Sequence, residues 1–118
     1  MSSPTPSDAW VHCRQEGAAV VATVGGEIDL AAAPMLQAEL EPVITGGQAV
    51  VVDLRAVPFL DSAGLSTLVN LAELARKAGG SLRVVANRRS MVRIFTLTGL
   101  AESVGLSSSL DEALSTSN

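Results

Sequence analysis

Val50-Val51-Val52-Asp53-Leu54, joined by a short link to Asp61-Ser62-Ala63-Gly64-Leu65-Ser66-Thr67-Leu68-Val69, decides the fold. An unbroken β-branched run of this kind suits a strand covered on both faces, as in sheets flanked by helices. From Ser62 to Ala78 the period changes: Leu65, Leu68, Val69, Ala72 and Ala75 fall on one side of a helix, and Gly79-Gly80 supplies a left-handed stop. Ser81 to Ala86 reads as the next strand, which completes a strand–helix–strand unit and makes the sheet partly parallel.

Working outward, Leu36, Leu40, Val43 and Ile44 share one face of a helix over 31–44, with Pro34 in its first turn. Before it, Trp10 to Gln15 alternates, Gly17 turns the chain, and Ala18 to Val24 runs to Gly25-Gly26, a hairpin pattern. Downstream, Asn87 is placed to cap a helix through Thr98 with Met91, Ile94 and Phe95 inward and Gly99 as its stop. A brief strand is expected around Val104. Ser109 and Glu112 then have capping-box spacing for a last short helix carrying Leu110, Ala113 and Leu114. The expected fold is α/β: one domain over 9–115, with a mixed, mostly parallel sheet of about five strands and about four helices packed mainly on one face. Residues 1–8, rich in Ser and Pro, read as a disordered tail, and 116–118 as a C-terminal tail.

Composition narrows the function. A chain of 118 residues with 47% apolar content supports a single core, and 3% aromatic content leaves few platforms for stacking bases. A formal charge of −4 without a basic run opposes binding to a phosphate backbone, so nucleic acid is not an expected partner. One cysteine, Cys13, cannot form an internal disulfide, no basic and apolar leader opens the sequence, and no apolar run reaches ~18 residues. These features lead to the expectation of a reduced, cytoplasmic protein without a membrane segment.

Enzymatic motifs are missing. There is no Gly-x-x-x-x-Gly-Lys loop, no Gly-x-Gly-x-x-Gly and no Gly-x-Ser-x-Gly elbow, and Gly25-Gly26 and Gly79-Gly80 read as turns. His12 is the single histidine and reads as an ordinary strand residue. One His and one Cys do not make a transition-metal site. No catalytic residue, cofactor or metal is expected.

Phe59-Leu60-Asp61-Ser62-Ala63-Gly64-Leu65 sets a hydroxyl between a carboxylate and the start of an apolar helix. Two roles are open there. Asp61 or Ser62 can be the N-cap, accepting from an unpaired backbone amide. Alternatively Ser62 is an exposed phosphoacceptor, its phosphate meeting the positive helix end and free amides, with Gly64 keeping the first turn clear for a kinase or partner.

Asp61-Ser62-Ala63-Gly64-Leu65, preceded by Val51-Val52-Asp53-Leu54 and Gly26-Glu27-Ile28-Asp29 and followed by Leu97-Thr98-Gly99-Leu100, resembles the STAS domain of bacterial anti-sigma factor antagonists. The resemblance runs from Val11 to Leu114. It implies that Ser62 is phosphorylated by a partner that is both anti-sigma factor and serine kinase, that the unphosphorylated form binds this partner and releases the sigma factor, and that a phosphatase can restore it. Asp29 matches the acidic residue the family sets beside the acceptor, so Asp29, Asp61, Ser62 and Gly64 are the expected partner-binding residues. Asp29 can equally serve a turn opening the first helix. Other readings are a STAS scaffold or ligand-sensing module, and a small nucleotide-binding protein or enzyme. Ser66 and Thr67 are further hydroxyls one turn on, expected to be structural. Arg88, Arg89 and Arg93 form a basic helix start that can face solvent or an acidic partner.

Overall fold

The computed structural model describes residues 8–115. The N-terminal tail expected over 1–8, apart from Asp8, and the C-terminal tail at 116–118 lie outside the described residues. Within them the chain runs β1 (Trp10–Glu16), β2 (Ala19–Gly25), α1 (Ala33–Thr45), β3 (Ala49–Ala56), α2 (Ser62–Lys77), β4 (Ser81–Val85), α3 (Arg89–Leu97) and α4 (Leu110–Ser115). The strands lie in the order β1-β2-β3-β4, with β1 antiparallel to β2 and the other two pairs parallel.

The hairpin between β1 and β2 pairs Glu16 with Ala19, leaving a two-residue loop. Gly17 takes φ +59 there, the first central position where a tight hairpin turn requires positive φ. β3 is one of the two inner strands and is buried from Val50 through Leu54, as its unbroken apolar run dictates. Its alternate residues serve two layers. Val50, Val52 and Leu54 join Leu36, Leu40 and Ile44 of α1, Leu65, Leu68 and Leu71 of α2, and Met91 and Phe95 of α3 in the main core. Val51 faces the other way, with Val21 and Val85, and packs against Ala113 of α4. Three helices therefore cover one face of the sheet and one short helix covers part of the other.

Two local expectations are corrected. The strand near Val104 does not form. Residues 101–105 are turns, Gly105 takes φ +57, and what remains of a fifth strand is a single parallel bridge between Val85 and Ser107. The sheet has four strands because Val84 donates to the Val104 carbonyl while Ser107 donates back to Val84, too short a ladder to straighten the segment. Asn87 does not cap α3. Arg88 holds the N-cap position and makes no side-chain capping bond, so the first turn is held by the Val92 amide donating to the Arg88 carbonyl at 3.0 Å. α1 also contains Pro42, which removes a backbone bond near its solvent-facing end, where Ala38 and Pro42 are both exposed and water can serve the freed carbonyl. At α4, by contrast, the Ser109 half of the expected capping box is in place: the Glu112 amide donates to the Ser109 hydroxyl at 3.1 Å.

Asp53 is a buried carboxylate on the α4 side of β3. It accepts from the Arg55 guanidinium at 2.9 and 2.8 Å and from the Arg55 amide at 3.0 Å. Burial pushes its pKa up, but the hydrogen bonds and charge of Arg55, aided by Arg14, outweigh this and hold the carboxyl below its ordinary value. A depressed folded pKa stabilises the fold above the unfolded value, near 3.9, and that contribution disappears as pH falls through the folded value. Asp53→Asn is therefore expected to cost about 1 kcal/mol at neutral pH, since Arg55 is half exposed and screened. In urea melts from acid to neutral pH the variant and the parent should converge at the acid end; a difference independent of pH would exclude this account.

Candidate functional site

A second parallel bridge, outside the named strands, joins Ile28 to Leu60. The Ile28 amide donates to the Phe59 carbonyl at 2.9 Å, and the Asp61 amide donates to the Ile28 carbonyl at 3.2 Å. The bridge brings the segment after β2 alongside the segment after β3. It sets Asp29 abreast of Asp61 and Leu30 abreast of Ser62, so residues 32 positions apart in sequence meet at one end of the sheet.

Asp61 is the N-cap of α2. One carboxylate oxygen accepts from the Ala63 and Gly64 amides at 2.9 and 3.1 Å, and the other accepts from the Leu30 amide at 3.2 Å. The side chain thus satisfies two helix-end donors and ties the helix to the facing loop. The amides expected to be free for a phosphate are already engaged. Asp29 turns back on its own segment, with its carboxylate accepting from the Ala32 amide at 3.0 Å and its carbonyl accepting from Ala33 at 2.9 Å. It opens α1 and remains partly exposed beside Asp61.

Because Asp61 takes the cap, Ser62 is left as the first residue of the helix, exposed to solvent. Its hydroxyl borders a groove of about 370 Å³ lined by Ser62, Ser66 and Asn70 of α2 and by Thr98 and Leu100 beyond α3. Of the other hydroxyls, Thr67 is buried, whereas Ser66 is exposed along the same groove.

Gly64 lies in the first turn of α2. It is buried, and a Cβ there would stand 2.4 Å from the Leu60 Cδ1 and 3.0 Å from both the Ile28 Cγ2 and the Ile28 carbonyl oxygen. Its missing side chain lets the start of α2 close onto the Ile28–Leu60 bridge. Leu30 and Phe59, 77% and 48% exposed, are the residues sequence reasoning missed. Their signal was a large apolar side chain beside an aspartate or proline, outside any helical or strand period.

Replacing Asp61 by Ala removes both capping bonds and the link to Leu30. The expected cost is about 2 kcal/mol, with faster amide hydrogen exchange at Leu30, Ala63 and Gly64 than at the centre of α2. Urea unfolding and exchange mapping would measure it; uniform exchange changes would show that Asp61 does not hold the two segments together.

His12 and Cys13 lie exposed on β1, with the His12 ring edge-on to Trp10 at 5.4 Å between centroids. Partial burial and the Glu39 carboxylate push the Cys13 thiol up, away from the thiolate that nucleophilic chemistry needs. Among the described residues no group of three or more His, Cys, Asp or Glu side chains is placed to hold a metal, and no helix is long and apolar enough to cross a membrane.

The model of the STAS domain matches residues 11–113. The chain belongs to the STAS family. The STAS protein is 31% identical over 97 residues, 82% of its chain and 89% of the relative, to the anti-sigma-B factor antagonist of Bacillus subtilis. It is 36% identical over 112 residues, 92% of its chain and 89% of the relative, to an anti-sigma-F factor antagonist of Mycobacterium tuberculosis. An anti-sigma factor antagonist from Mycobacterium paratuberculosis has a crystal structure that superposes on this STAS domain with a TM-score of 0.87 at 33% identity, over 96% of this chain and 97% of that one.

Proposed function

We propose that this STAS protein is an anti-sigma factor antagonist that binds an anti-sigma factor with serine kinase activity, and that phosphorylation of Ser62 by that partner ends the binding. The observation that carries the reading is the division of labour at the start of α2. Asp61 alone caps the helix and Ser62, next to it, stands exposed with no capping duty. A hydroxyl in that position is open to a kinase, and its modification does not unmake the helix end. The antagonists among its relatives supply the class of partner.

In this scheme the protein works in the cytoplasm as a binding component without catalysis of its own. The unphosphorylated form occupies the anti-sigma factor and frees the sigma factor, and a phosphatase restores it after modification. Asp29 and Asp61 shape the charge around the acceptor. Incubation with the serine kinase anti-sigma factor of the same genome and ATP should place one phosphate on Ser62, and Ser62→Ala should abolish labelling. Phosphate on Ser66 in the unaltered protein would overturn the assignment.

A further inference from the structure

The outer face of α3 is the largest cationic feature that the switch leaves unused. Of the eight Lys and Arg residues in the chain, three lie within 88–93. Arg14, Arg55 and Arg76 each pair with a carboxylate of their own chain. Arg88, Arg89 and Arg93 are exposed, and none has an ion-pair partner among the described residues. Arg88 and Arg89 also stand at the N-cap and first turn of the helix, where the backbone dipole disfavours positive charge, and no acidic residue shares that turn. The fold gains nothing from them there.

One step along the chain separates the groove beside these arginines from the groove beside Ser62. Arg89, Val92, Arg93, Thr96 and Leu97 line a second groove of about 460 Å³ along α3, while Thr98, the next residue, lines the groove beside Ser62. Leu97, 72% exposed, lines the α3 groove and immediately precedes Thr98. A stable protein interface engages roughly 20–30 residues a side, more than the rim of Ser62 supplies, so a partner seated on Ser62 extends onto neighbouring surface.

We propose that the anti-sigma factor's footprint runs from Ser62 over Leu97 onto α3, and that the partner presents an acidic surface to Arg89 and Arg93. The proposal rests on the antagonist reading. The contact face then carries opposite charges at its two ends, Asp29 and Asp61 at one and the arginines at the other, which fixes the partner's orientation. A folded protein can match both signs. An anionic membrane or nucleic acid, negative throughout, would set its charge against the two aspartates and against a chain of net charge −4. Leu97 supplies the apolar anchor between the charged ends.

The test measures affinity for the kinase anti-sigma factor by calorimetry, using the full chain, Ser62→Glu, the pair Arg89→Glu with Arg93→Glu, and the milder pair Arg89→Gln with Arg93→Gln. Charge reversal should weaken binding about tenfold or more at low salt, and the loss should shrink at high salt. The glutamine pair, with an unchanged thermal melt, should show a smaller loss of the same salt dependence. Unchanged affinity in both pairs, with Ser62→Glu still impaired, would overturn the α3 footprint and leave the antagonist reading standing. Unchanged affinity in all three variants would remove both. Arginine-dependent binding to vesicles of phosphatidylcholine and phosphatidylserine, with partner affinity unmoved by either pair, would overturn the proposal in favour of a membrane.

Discussion

Phosphorylation of Ser62, or its replacement by Glu, is expected to weaken binding to the kinase anti-sigma factor about 100-fold or more while shifting the thermal melt by only a few degrees. The two halves of this expectation have separate causes. The fold survives because the hydroxyl is exposed and the cap belongs to Asp61, whose bonds to the Ala63 and Gly64 amides do not involve Ser62. A phosphate carries about −1.5 to −2 charges at neutral pH, and its repulsion of Asp61 is partly offset by the positive end of α2. Binding fails because the same group sits where the partner must come. With both of those amides occupied, the phosphate cannot fold into the helix end and projects from it. The partner's surface there is fitted to a hydroxyl, so the bulk of the phosphate holds the two faces apart, and the loss of contacts worth about 3 kcal/mol is roughly 100-fold in affinity. Burial of the phosphate under a partner adds desolvation. Calorimetric titration of the phosphorylated and unphosphorylated forms, beside their melting curves, reads both halves. Equal affinities would end the switch model, and a collapsed melt would replace it with one of unfolding.

Much of this arrangement was legible in the sequence where the signal is local. Val50 to Leu54 announces a central strand because every side chain in it must be covered, and the spacing of Leu65, Leu68 and Ala75 needs only helical geometry to be read. The failures occurred where a long-range contact decided the outcome. Val104 looks like a strand residue and is fully buried, yet it is held by one bond from β4 within a run of turns. Asn87 is a better capping residue than Arg88 by intrinsic preference, but the helix starts one residue later than such a cap requires. At the site, spacing could not choose between Asp61 and Ser62 as the cap. The choice follows from the bridge between Ile28 and Leu60, which offers the Leu30 amide to the second oxygen of Asp61, and no pattern within seven residues contains that information.

Gly64→Val is expected to destabilise the fold by about 3 kcal/mol, roughly a 10 °C fall in melting temperature. The sign of the milder variant, Gly64→Ala, separates two explanations for this glycine. Were Gly64 present only to keep a surface open, Ala would strengthen α2 by up to about 1 kcal/mol through helix propensity alone. Inside the structure the added methyl falls 2.4 Å from the Leu60 Cδ1 and 3.0 Å from the Ile28 carbonyl oxygen. Leu60 is 2% exposed and has little room to swing aside, and the carbonyl is fixed by the Asp61 amide. The helix start must therefore move off the bridge, which cancels the propensity gain for Ala and exceeds it for Val. Because Asp61 spans that same gap to reach the Leu30 amide, displacement of the helix should also stretch the 3.2 Å bond and loosen the loop that borders Ser62. Gly64→Val should consequently lower both stability and the rate of Ser62 phosphorylation, whereas a surface role would leave the melt unchanged or raised.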